Sequence, residues 1–258
     1  MLKASVITPT YGRQAFLPNL IRYFGFQTYP DKELLILDDG PEAIEFLREP
    51  MWRDIGIHYF HSPQRMSIGA KRNFLIQKAT GQVILQFDDD DYYAPCYIER
   101  MLASMGEADF LTLDGWFTYG VKHRMLGYWD THHLHPFHAR FSAHAIEWLP
   151  SEGFYESFLH DNYWGWGFSY VYKTRVGLEC PFADQDWGED LCFYRDLAAR
   201  GFVARTIADQ EGLAVHIVHE KNTSVSYPQY ILPAFFVSRL FGPGVELGVA
   251  LGPEEGSS

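Results

Sequence analysis

The sequence contains no apolar stretch that approaches the ~18 residues needed for a membrane-spanning helix, so we predict no membrane span. The N-terminus passes directly into a strand-like run without a charged leader or cleavage region, and no signal peptide is expected. Cysteine is scarce: only Cys96, Cys180 and Cys192 occur, and no two have Cys-x-x-Cys spacing. A disulfide framework and a zinc site are both disfavoured, which fits a reduced, cytoplasmic setting.

Basic residues and glycine-rich phosphate motifs are also in short supply. The chain has 21 Lys and Arg against 33 Asp and Glu, which gives a net charge of −12. This charge argues against a protein that binds the phosphate backbone of nucleic acids. The first strand-like run is followed by TPTYGR at 8–13, which matches neither G-x-G-x-x-G nor G-x-x-x-x-G-K-[ST]. A dinucleotide dehydrogenase and a P-loop ATPase are therefore disfavoured. Small anionic ligands bridged by a metal remain allowed.

The first 115 residues alternate between strand and helix patterns. Helices between strands indicate an α/β fold with a mostly parallel sheet covered on both faces. The 258 residues, 47% of them hydrophobic, favour one continuous domain with an extension. The sequence predicts strands at 5–8, 33–37, 57–60, 82–87 and 110–113, and helices near 17–24, 69–79 and 95–105.

Four consecutive aspartates, Asp88 to Asp91, directly follow the apolar run 83–87. Two carboxylates about 4 Å apart repel by roughly 1 kcal/mol even in water, so the cluster predicts a bound cation. If the strand continues this far, Asp88 and Asp90 share one face and Asp89 points away, and this pair suits Mg²⁺ or Mn²⁺. The alternative is a solvated acidic turn. A diphosphate bound here would also be met by Arg13, Lys71 and Arg72.

The regular alternation stops between Trp116 and Leu149. We expect a mobile or acceptor-facing loop here, and a structural transition-metal site is the alternative, although no Cys companions or H-E-x-x-H pattern appear. This segment holds most of the histidines of the chain, namely His123, His132, His133, His135, His138 and His144.

An aromatic segment follows, in which Trp166 lies between Gly165 and Gly167 and a strand is predicted at 168–172. Glycines let the backbone approach a ligand closely, and a tryptophan ring suits the apolar face of a sugar. Core packing accounts for Trp166 equally well.

Glu189 and Asp190 end an acidic run and begin an amphipathic helix. Acids at a helix start are also explained by capping and by the helix dipole, which is the structural alternative to a catalytic role. A further strand, predicted at 213–218, ends at His219, which precedes Asn222 and Thr223. A histidine in this position either ligates a metal or is only hydrogen-bonded.

The C-terminal region contains an apolar run at 231–237, which is too short to span a bilayer. We expect it to pack on the core, with dimerisation or contact with a membrane surface as alternatives. Residues 253–258 are expected to form a loose tail.

Four strings, VITPTYGR at 6–13, LILDDG at 35–40, GAKRN at 69–73 and FDDDD at 87–91, together resemble the opening half of the family 2 glycosyltransferases with a GT-A fold. The resemblance resumes with GWGFS at 165–169, Glu189–Asp190 and His219. It implies a GT-A, Rossmann-like fold with a smaller acceptor-side extension. The implied domain covers 1–227, with a nucleotide-sugar half at 1–115 and an acceptor and catalytic half at 116–227, and 228–258 form an extension and tail.

The resemblance also implies roles for individual residues. Asp90 would be the main metal ligand with Asp88 nearby, and His219 would give the last metal or pyrophosphate contact. Asp190 would be the catalytic base, and Glu189 its organiser or an acceptor ligand. For Lys71 and Arg72 the alternative is an ordinary solvated helix start. The implied nucleotide-sugar contacts are Thr8, Thr10, Tyr11 and Arg13 around the base, Asp39 at base or ribose, Arg72 near the nucleotide, Asp89 at the ribose and Trp166 near the sugar. Pro9, Lys71 and Asp88 are also expected to contact the nucleotide sugar.

We therefore predict a metal-dependent, inverting glycosyltransferase that uses Mn²⁺ or Mg²⁺ and a nucleotide-sugar donor, commonly UDP-linked. The acceptor would be a hydroxyl, most simply of a glycan, and nucleic acid is disfavoured as a partner. The rival functions are a nucleotidyltransferase, which would attack phosphorus with the same metal and aspartates, and a catalytically silent sugar-binding module.

Overall fold

The computed structural model describes residues 1–133, 135–151, 163, 164, 166–222, 225–242 and 247. Gly165, Thr223 and the predicted tail at 253–258 lie outside the described residues. The strands are β1 Ala4–Thr10, β2 Lys32–Asp38, β3 Ile57–His61, β4 Val83–Gln86, β5 Tyr92–Tyr93, β6 Phe110–Gly120, β7 Met125–Asp130, β8 Phe137–Phe141, β9 Ile146–Pro150, β10 Val171–Lys173, β11 Ala204–Ala208, β12 Ala214–Val218 and β13 Tyr230–Leu232. The helices are α1 Leu17–Gly25, α2 Pro50–Asp54, α3 Ile68–Lys78, α4 Tyr97–Met105, α5 Thr174–Glu179, α6 Glu189–Ala199 and α7 Phe235–Phe241, with 3₁₀ turns at Glu45–Arg48 and Gly167–Ser169.

One large mixed sheet organises the fold, with its central strands in the order β13-β7-β6-β10-β4-β1-β2-β3. The strands β3, β2, β1 and β4 run parallel, as the alternation of strands and helices predicts. Strand β10 enters antiparallel between β4 and β6, and β7 also pairs antiparallel with β6. The carboxyl ends of β1, β2 and β4 therefore meet at one edge, which is where open α/β sheets bind ligands.

Helices cover both faces of this sheet, because alternate residues of each strand are apolar on opposite sides. On one face, Val6 and Ile36 belong to a core cluster with residues of α1 and α4. On the other face, Ile7 and Leu37 belong to a cluster with residues of α3, α5 and α6. The α/β prediction with helices on both faces is confirmed.

The predicted loop between Trp116 and Leu149 is wrong, because this segment forms strands. Strand β6 continues to Gly120, β7 pairs with it, and β8 and β9 form a separate two-stranded sheet. The cause is burial: Trp116 and Trp129 are almost fully buried and contact each other with ring centroids 5.0 Å apart. Their apolar surface drives strand pairing that the interspersed histidines concealed in the sequence.

Two further details of the predicted strands differ. The strand predicted at 168–172 begins as the 3₁₀ turn Gly167–Ser169, and only β10 at Val171–Lys173 is extended. Strand β4 ends at Gln86, so the side chains of Asp88 to Asp90 do not follow strand alternation. The side chains of Asp89 and Asp90 are oriented instead by the hydrogen bonds described below.

The C-terminal apolar run packs only partly on the core. Strand β13 pairs with β7, and Phe241 at the end of α7 contacts Tyr92 and Phe117. Phe235 at the start of α7 is 62% exposed. Within the described ranges, no helix combines the length and hydropathy needed to cross a bilayer. The domain boundary at 227 and a membrane-surface contact stay predictions.

The close approach of α3 to the segment around Ala183 yields a stability prediction. A Cβ placed on Gly69 would lie 1.8 Å from the carbonyl oxygen of Ala183, so Gly69→Ala must push α3 away from backbone. We expect a loss of about 1–3 kcal/mol in the free energy of unfolding, measured by urea denaturation. Gly25→Ala is the matched control, because no atom lies within 4 Å of its Cβ position in the last turn of α1. That change should be neutral or stabilising. Equal effects of the two changes would contradict the packing argument.

Candidate functional site

A cavity of about 640 Å³ opens at the carboxyl edge of the sheet, a size suited to a nucleotide-sized ligand. Most of the predicted site residues line it. Thr8 is fully buried beneath it and donates a hydrogen bond to the Phe87 carbonyl at 2.8 Å, and His219 lines a smaller cavity beside it. The predicted residues in the main lining are Pro9, Thr10, Tyr11, Arg13, Lys71, Arg72, Asp88, Asp89, Asp90, Trp166, Glu189 and Asp190.

Asp39 and Lys71 form a buried ion pair below the cavity, with 2.7 Å between Oδ1 and Nζ. Lys71 also donates to the Thr10 carbonyl at 2.9 Å, and Asp39 accepts from Arg65 and from the Met66 N–H. Burial raises the pKa of Asp39, but the hydrogen bonds from Lys71, Met66 and Arg65 outweigh it and hold the pKa below its usual range. A solvated helix start is therefore wrong for Lys71, which ties α3 to the ends of β1 and β2.

Arg65 was not predicted from the sequence, yet it lies at the mouth of the cavity. Its guanidinium contacts Asp39 and lies 4.0 Å from the ring centroid of Tyr11. The side chains of both Arg65 and Tyr11 are about half exposed. A planar cation over an exposed aromatic ring forms a surface on which a flat base can stack.

The aspartate cluster is held by cations within the chain. Asp89 accepts from Thr10 Oγ1 at 2.5 Å and from Arg13 Nη1 at 2.9 Å. Asp90 contacts Arg13 at 2.7 Å and His219 Nε2 at 3.1 Å. The side chains of Asp89 and Asp90 are 4% and 6% exposed, so a solvated acidic turn is wrong.

Asp91 and His216 form a second buried pair that the sequence did not reveal. His216 Nδ1 lies 3.1 Å from Asp91 Oδ2, and Asp91 Oδ1 also accepts from the Ile217 N–H at 2.8 Å. Burial lowers the pKa of His216, but the carboxylates of Asp91, Asp90 and Asp88 together outweigh burial and raise this pKa to about 9. The one available signal was a histidine in the otherwise apolar strand β12.

Asp88 differs from its three neighbours. Its backbone N–H donates to Tyr93 Oη at 2.9 Å, but no side chain in the described part of the chain donates a hydrogen bond to its carboxylate. Burial, followed by the charge of Asp91, raises the pKa of Asp88 to about 8. Asp88 is therefore the carboxyl group of the cluster that most needs an additional positive charge.

The carboxylate oxygens of Asp88 and Asp90 fit a divalent cation that is also coordinated by a bound ligand. Across residues 1–133 and the other described segments, no three His, Cys, Asp or Glu side chains are arranged to hold a metal ion by themselves. Mg²⁺ and Mn²⁺ are commonly bound by one or two carboxylates together with substrate phosphates. Asp88 and Asp90 supply hard oxygens of this kind beside the cavity.

Arg72 and Glu189 form a buried ion pair on the opposite wall, so Arg72 does not lie at a solvated helix start. Next to this pair, Asp190 accepts from the Gly167 N–H at 3.1 Å and from the Leu191 N–H at 2.7 Å. The bond to Leu191 fits the helix-start interpretation, whereas the bond to Gly167 fixes the carboxylate at the cavity wall. Burial and then the charge of Glu189 raise the pKa of Asp190 to about 6.

Trp166 belongs both to the aromatic core and to the cavity lining, and its contact with a sugar stays a prediction. It packs against Trp116 and Trp129 with ring centroids 5.4 and 5.1 Å away, and it also lines the cavity. Its buried Nε1–H has no acceptor among the described residues. A ligand hydroxyl could accept from this group.

The sequence is similar to those of known glycosyltransferases. The family model described as "Glycosyl transferase family 2" matches residues 5–167. An uncharacterized glycosyltransferase of Bacillus subtilis (strain 168), YwdF, is 26% identical over 179 residues, which are 65% of this chain and 66% of that protein. An uncharacterized glycosyltransferase of Haemophilus influenzae is 31% identical over 103 residues, 39% of this chain and 41% of that protein.

Solved structures share the fold at low sequence identity. S. aureus TarS 1-349 in complex with UDP has a TM-score of 0.60 and 18% identity, covering 84% of this chain and 60% of that chain. The mannosyltransferase PcManGT from Pyrobaculum calidifontis, in complex with GDP-Man and Mn²⁺, has a TM-score of 0.56 and 14% identity, covering 84% and 56%. The chain thus spans about two thirds or less of the length of these proteins, and the likeness to both structures establishes a GT-A fold.

The isolated carboxyl group of Asp88 yields a prediction for stability against pH. Because its pKa is raised, the folded state binds more protons than the unfolded state between about pH 4 and pH 8, and stability falls as the pH rises through this window. In EDTA at pH 8.5, Asp88→Asn should therefore raise Tm by about 2–4 °C, the shift that about 1 kcal/mol gives in a chain of this size.

The exposed Asp54→Asn variant is the control for loss of one negative charge. Mn²⁺ should reduce the difference in Tm between wild type and Asp88→Asn, because it should raise the Tm of wild type alone. An Asp88→Asn protein that melts below wild type at pH 8.5 in EDTA would contradict the assignment.

Proposed function

The chain belongs to glycosyl transferase family 2, and from this premise we propose that it moves a sugar from a nucleotide-diphosphate sugar to a hydroxyl acceptor. The observation that carries this proposal is the position of Asp190. Its buried carboxylate, with a pKa raised to about 6, lines the same cavity as Asp88 and Asp90. One wall of the cavity thus offers a proton acceptor and another offers metal-binding oxygens.

We propose that Asp190 is the catalytic base of an inverting transfer. A pKa of about 6 leaves it ionised at neutral pH while keeping it a stronger base than an ordinary aspartate. Its carboxylate takes the proton of the acceptor hydroxyl, and the hydroxyl oxygen attacks the anomeric carbon opposite the diphosphate. The bond from that carbon to the phosphate oxygen breaks, and its electron pair leaves with the diphosphate. Glu189 forms a buried ion pair with Arg72, so we assign it the role of positioning Asp190 and not that of accepting the proton.

A divalent cation, Mn²⁺ or Mg²⁺, would be held by Asp88 and Asp90, with His219 beside Asp90. When bound, such an ion neutralises the negative charge of the departing diphosphate. The aspartate cluster orients the diphosphate of the donor. Arg65, which lies over the ring of Tyr11, supplies a surface on which the base of the nucleotide stacks. The structure of PcManGT with GDP-Man and Mn²⁺ supports the metal requirement through the shared fold alone.

A UDP-linked donor and a glycan hydroxyl as acceptor complete the proposal. The fold likeness to TarS bound to UDP and to UDP-GlcNAc supports the uridine donor. Trp187, which is 66% exposed, lies in the cavity wall with Asp190 and offers an aromatic face of the kind that sugar rings stack on. The three free cysteines fit a cytoplasmic setting.

Metal dependence gives a direct binding prediction. UDP should stabilise the fold weakly in EDTA and strongly with Mn²⁺, because the aspartates repel a bare diphosphate. At 100 times its dissociation constant a ligand adds about 2.7 kcal/mol, which a thermal-shift titration resolves. Asp90→Asn should remove the Mn²⁺-dependent part of the shift. Uridine, which has no phosphates, is the control ligand and should show no dependence on Mn²⁺. Equal shifts with UDP in EDTA and in Mn²⁺ would remove the metal from the proposal.

The test of function combines a donor screen with Asp190→Asn. Incubating the protein with a panel of nucleotide sugars and Mn²⁺, and following slow release of nucleoside diphosphate by mass spectrometry, identifies the donor without knowledge of the acceptor. Asp190→Asn cannot accept a proton, so turnover with the identified donor should fall by roughly 10²- to 10⁴-fold. Donor affinity should be unchanged, since Asp190 does not contact the metal-binding aspartates.

Asp196→Asn is the matched control, because it removes a charge from the exposed side of the same helix α6 and should leave turnover near wild type. Near-normal turnover by Asp190→Asn would exclude Asp190 as the base. Release of sugar 1-phosphate in place of nucleoside diphosphate would indicate nucleotidyl transfer, because attack on the phosphorus next to the nucleoside leaves the sugar bonded to its own phosphate.

A further inference from the structure

Arg13 occupies an unexpected place for a residue expected near the base. It follows the turn at Gly12, which has a φ of +58°, after β1 ends at Thr10. Its Nη1 donates to Asp89 Oδ1 at 2.9 Å and to Asp90 Oδ2 at 2.7 Å. Its Nη2 donates to the carbonyl of Lys221 at 2.7 Å. One guanidinium therefore bridges two adjacent carboxylates and joins them to the segment after β12.

The charges of this cluster depend on that bridge. Among the residues that the structure describes, Asp89 has no other cation within hydrogen-bonding distance, and its other side-chain hydrogen bond comes from the neutral hydroxyl of Thr10. Asp90 has His219 as its second partner. Without Arg13, two nearly buried carboxylates on consecutive residues would keep only the Thr10 hydroxyl and the His219 ring as side-chain partners among the described residues. Such an arrangement is costly.

We propose that Arg13 is the resident counter-ion of Asp89 and Asp90, and that a divalent cation at the cluster competes with it for these carboxylates. The inference rests on the proposed metal site. When no metal is bound, the guanidinium of Arg13 compensates the negative charge of Asp89 and Asp90, so the protein folds without a metal ion. The same positive charge repels an incoming divalent ion and engages an oxygen of Asp90, so it lowers metal affinity. Arg13 is thus a positioning residue that tunes the metal site.

The test compares Mn²⁺ binding by Arg13→Gln and by wild type, measured as loss of the free-Mn²⁺ signal in electron paramagnetic resonance. We expect Arg13→Gln to bind Mn²⁺ more tightly, on the order of tenfold, because a unit positive charge has been removed beside a divalent ion. In thermal melts, Arg13→Gln should be less stable than wild type in EDTA and should gain more from Mn²⁺. A residue that merely held the ligands in place would give the opposite sign in the binding experiment.

Arg65→Gln is the matched control, because Arg65 lines the same cavity but pairs with Asp39 outside the cluster. It should bind Mn²⁺ within about threefold of wild type. The double variant Arg13→Gln/Asp89→Asn restores the charge balance of the cluster. It should fold in EDTA even if Arg13→Gln does not, and its Mn²⁺ affinity should return to within about threefold of wild type.

The outcomes separate the inference from the function on which it rests. Tighter Mn²⁺ binding by Arg13→Gln alone, with reversal in the double variant, supports the counter-ion role. Equal or weaker binding by Arg13→Gln, while wild type binds Mn²⁺, overturns the inference and leaves the proposed metal site standing. Failure of the double variant to fold in EDTA also overturns it. Absence of Mn²⁺ binding in every variant overturns both the inference and the metal requirement.

Discussion

Charge compensation of buried carboxylates is the constraint on which this site depends. Parallel strands deliver several acids to one edge of the sheet, where a buried, unpaired carboxylate is costly. Most of these acids form an ion pair with a basic side chain from a different segment. The ion pairs therefore also hold those segments together. Lys71 draws α3 onto the ends of β1 and β2, and Arg13 joins the first turn to the segment after β12. The pairs are Asp39 with Lys71 and Arg65, Asp89 and Asp90 with Arg13, Asp91 with His216, and Glu189 with Arg72.

Asp88 and Asp190, to which we propose that the chemistry belongs, have no such cation partner, whereas the buried Asp38 is satisfied by the N–H groups of Gly12 and Gly40 and by the Tyr59 hydroxyl. Asp88 lacks a hydrogen-bond donor to its carboxylate among the described side chains, and its pKa is raised to about 8. Among the described residues, Asp190 accepts hydrogen bonds from two backbone N–H groups and from no side chain, and its pKa is raised to about 6. A buried carboxylate without a cation partner destabilises the fold, but it remains able to bind a metal ion or a proton. Perturbed groups of this kind gather at functional sites because stability has been given up there for reactivity.

The sequence predicted the contacts that are local and missed those that are distant. Strand ends, the aspartate cluster and the acids of α6 are recognisable from runs of a few residues, and the fold follows from their order. His216 and Asp91 are 125 positions apart, so no local pattern signals their pairing. Arg65 was missed for the same reason, since its partners Asp39 and Tyr11 lie on other segments. The strands between Trp116 and Leu149 were missed because burial of aromatic rings, which depends on the tertiary structure, overrides local propensity.

Gly167 shows why the two halves of the site must be built together. Its N–H holds Asp190, and a Cβ at this position would lie 2.9 Å from Arg72 Nη2 and 3.2 Å from Gln86 Oε1. Glycine lets the backbone that holds the proposed base pass this close to the Arg72–Glu189 pair without moving the Arg72 guanidinium. Arg72 belongs to α3, Asp190 to α6 and Gln86 to β4, the strand that leads to the aspartates. A side chain at 167 would therefore have to move Arg72 or Gln86, so the backbone that holds the proposed base is packed directly against the helix and the strand that lead to the rest of the site.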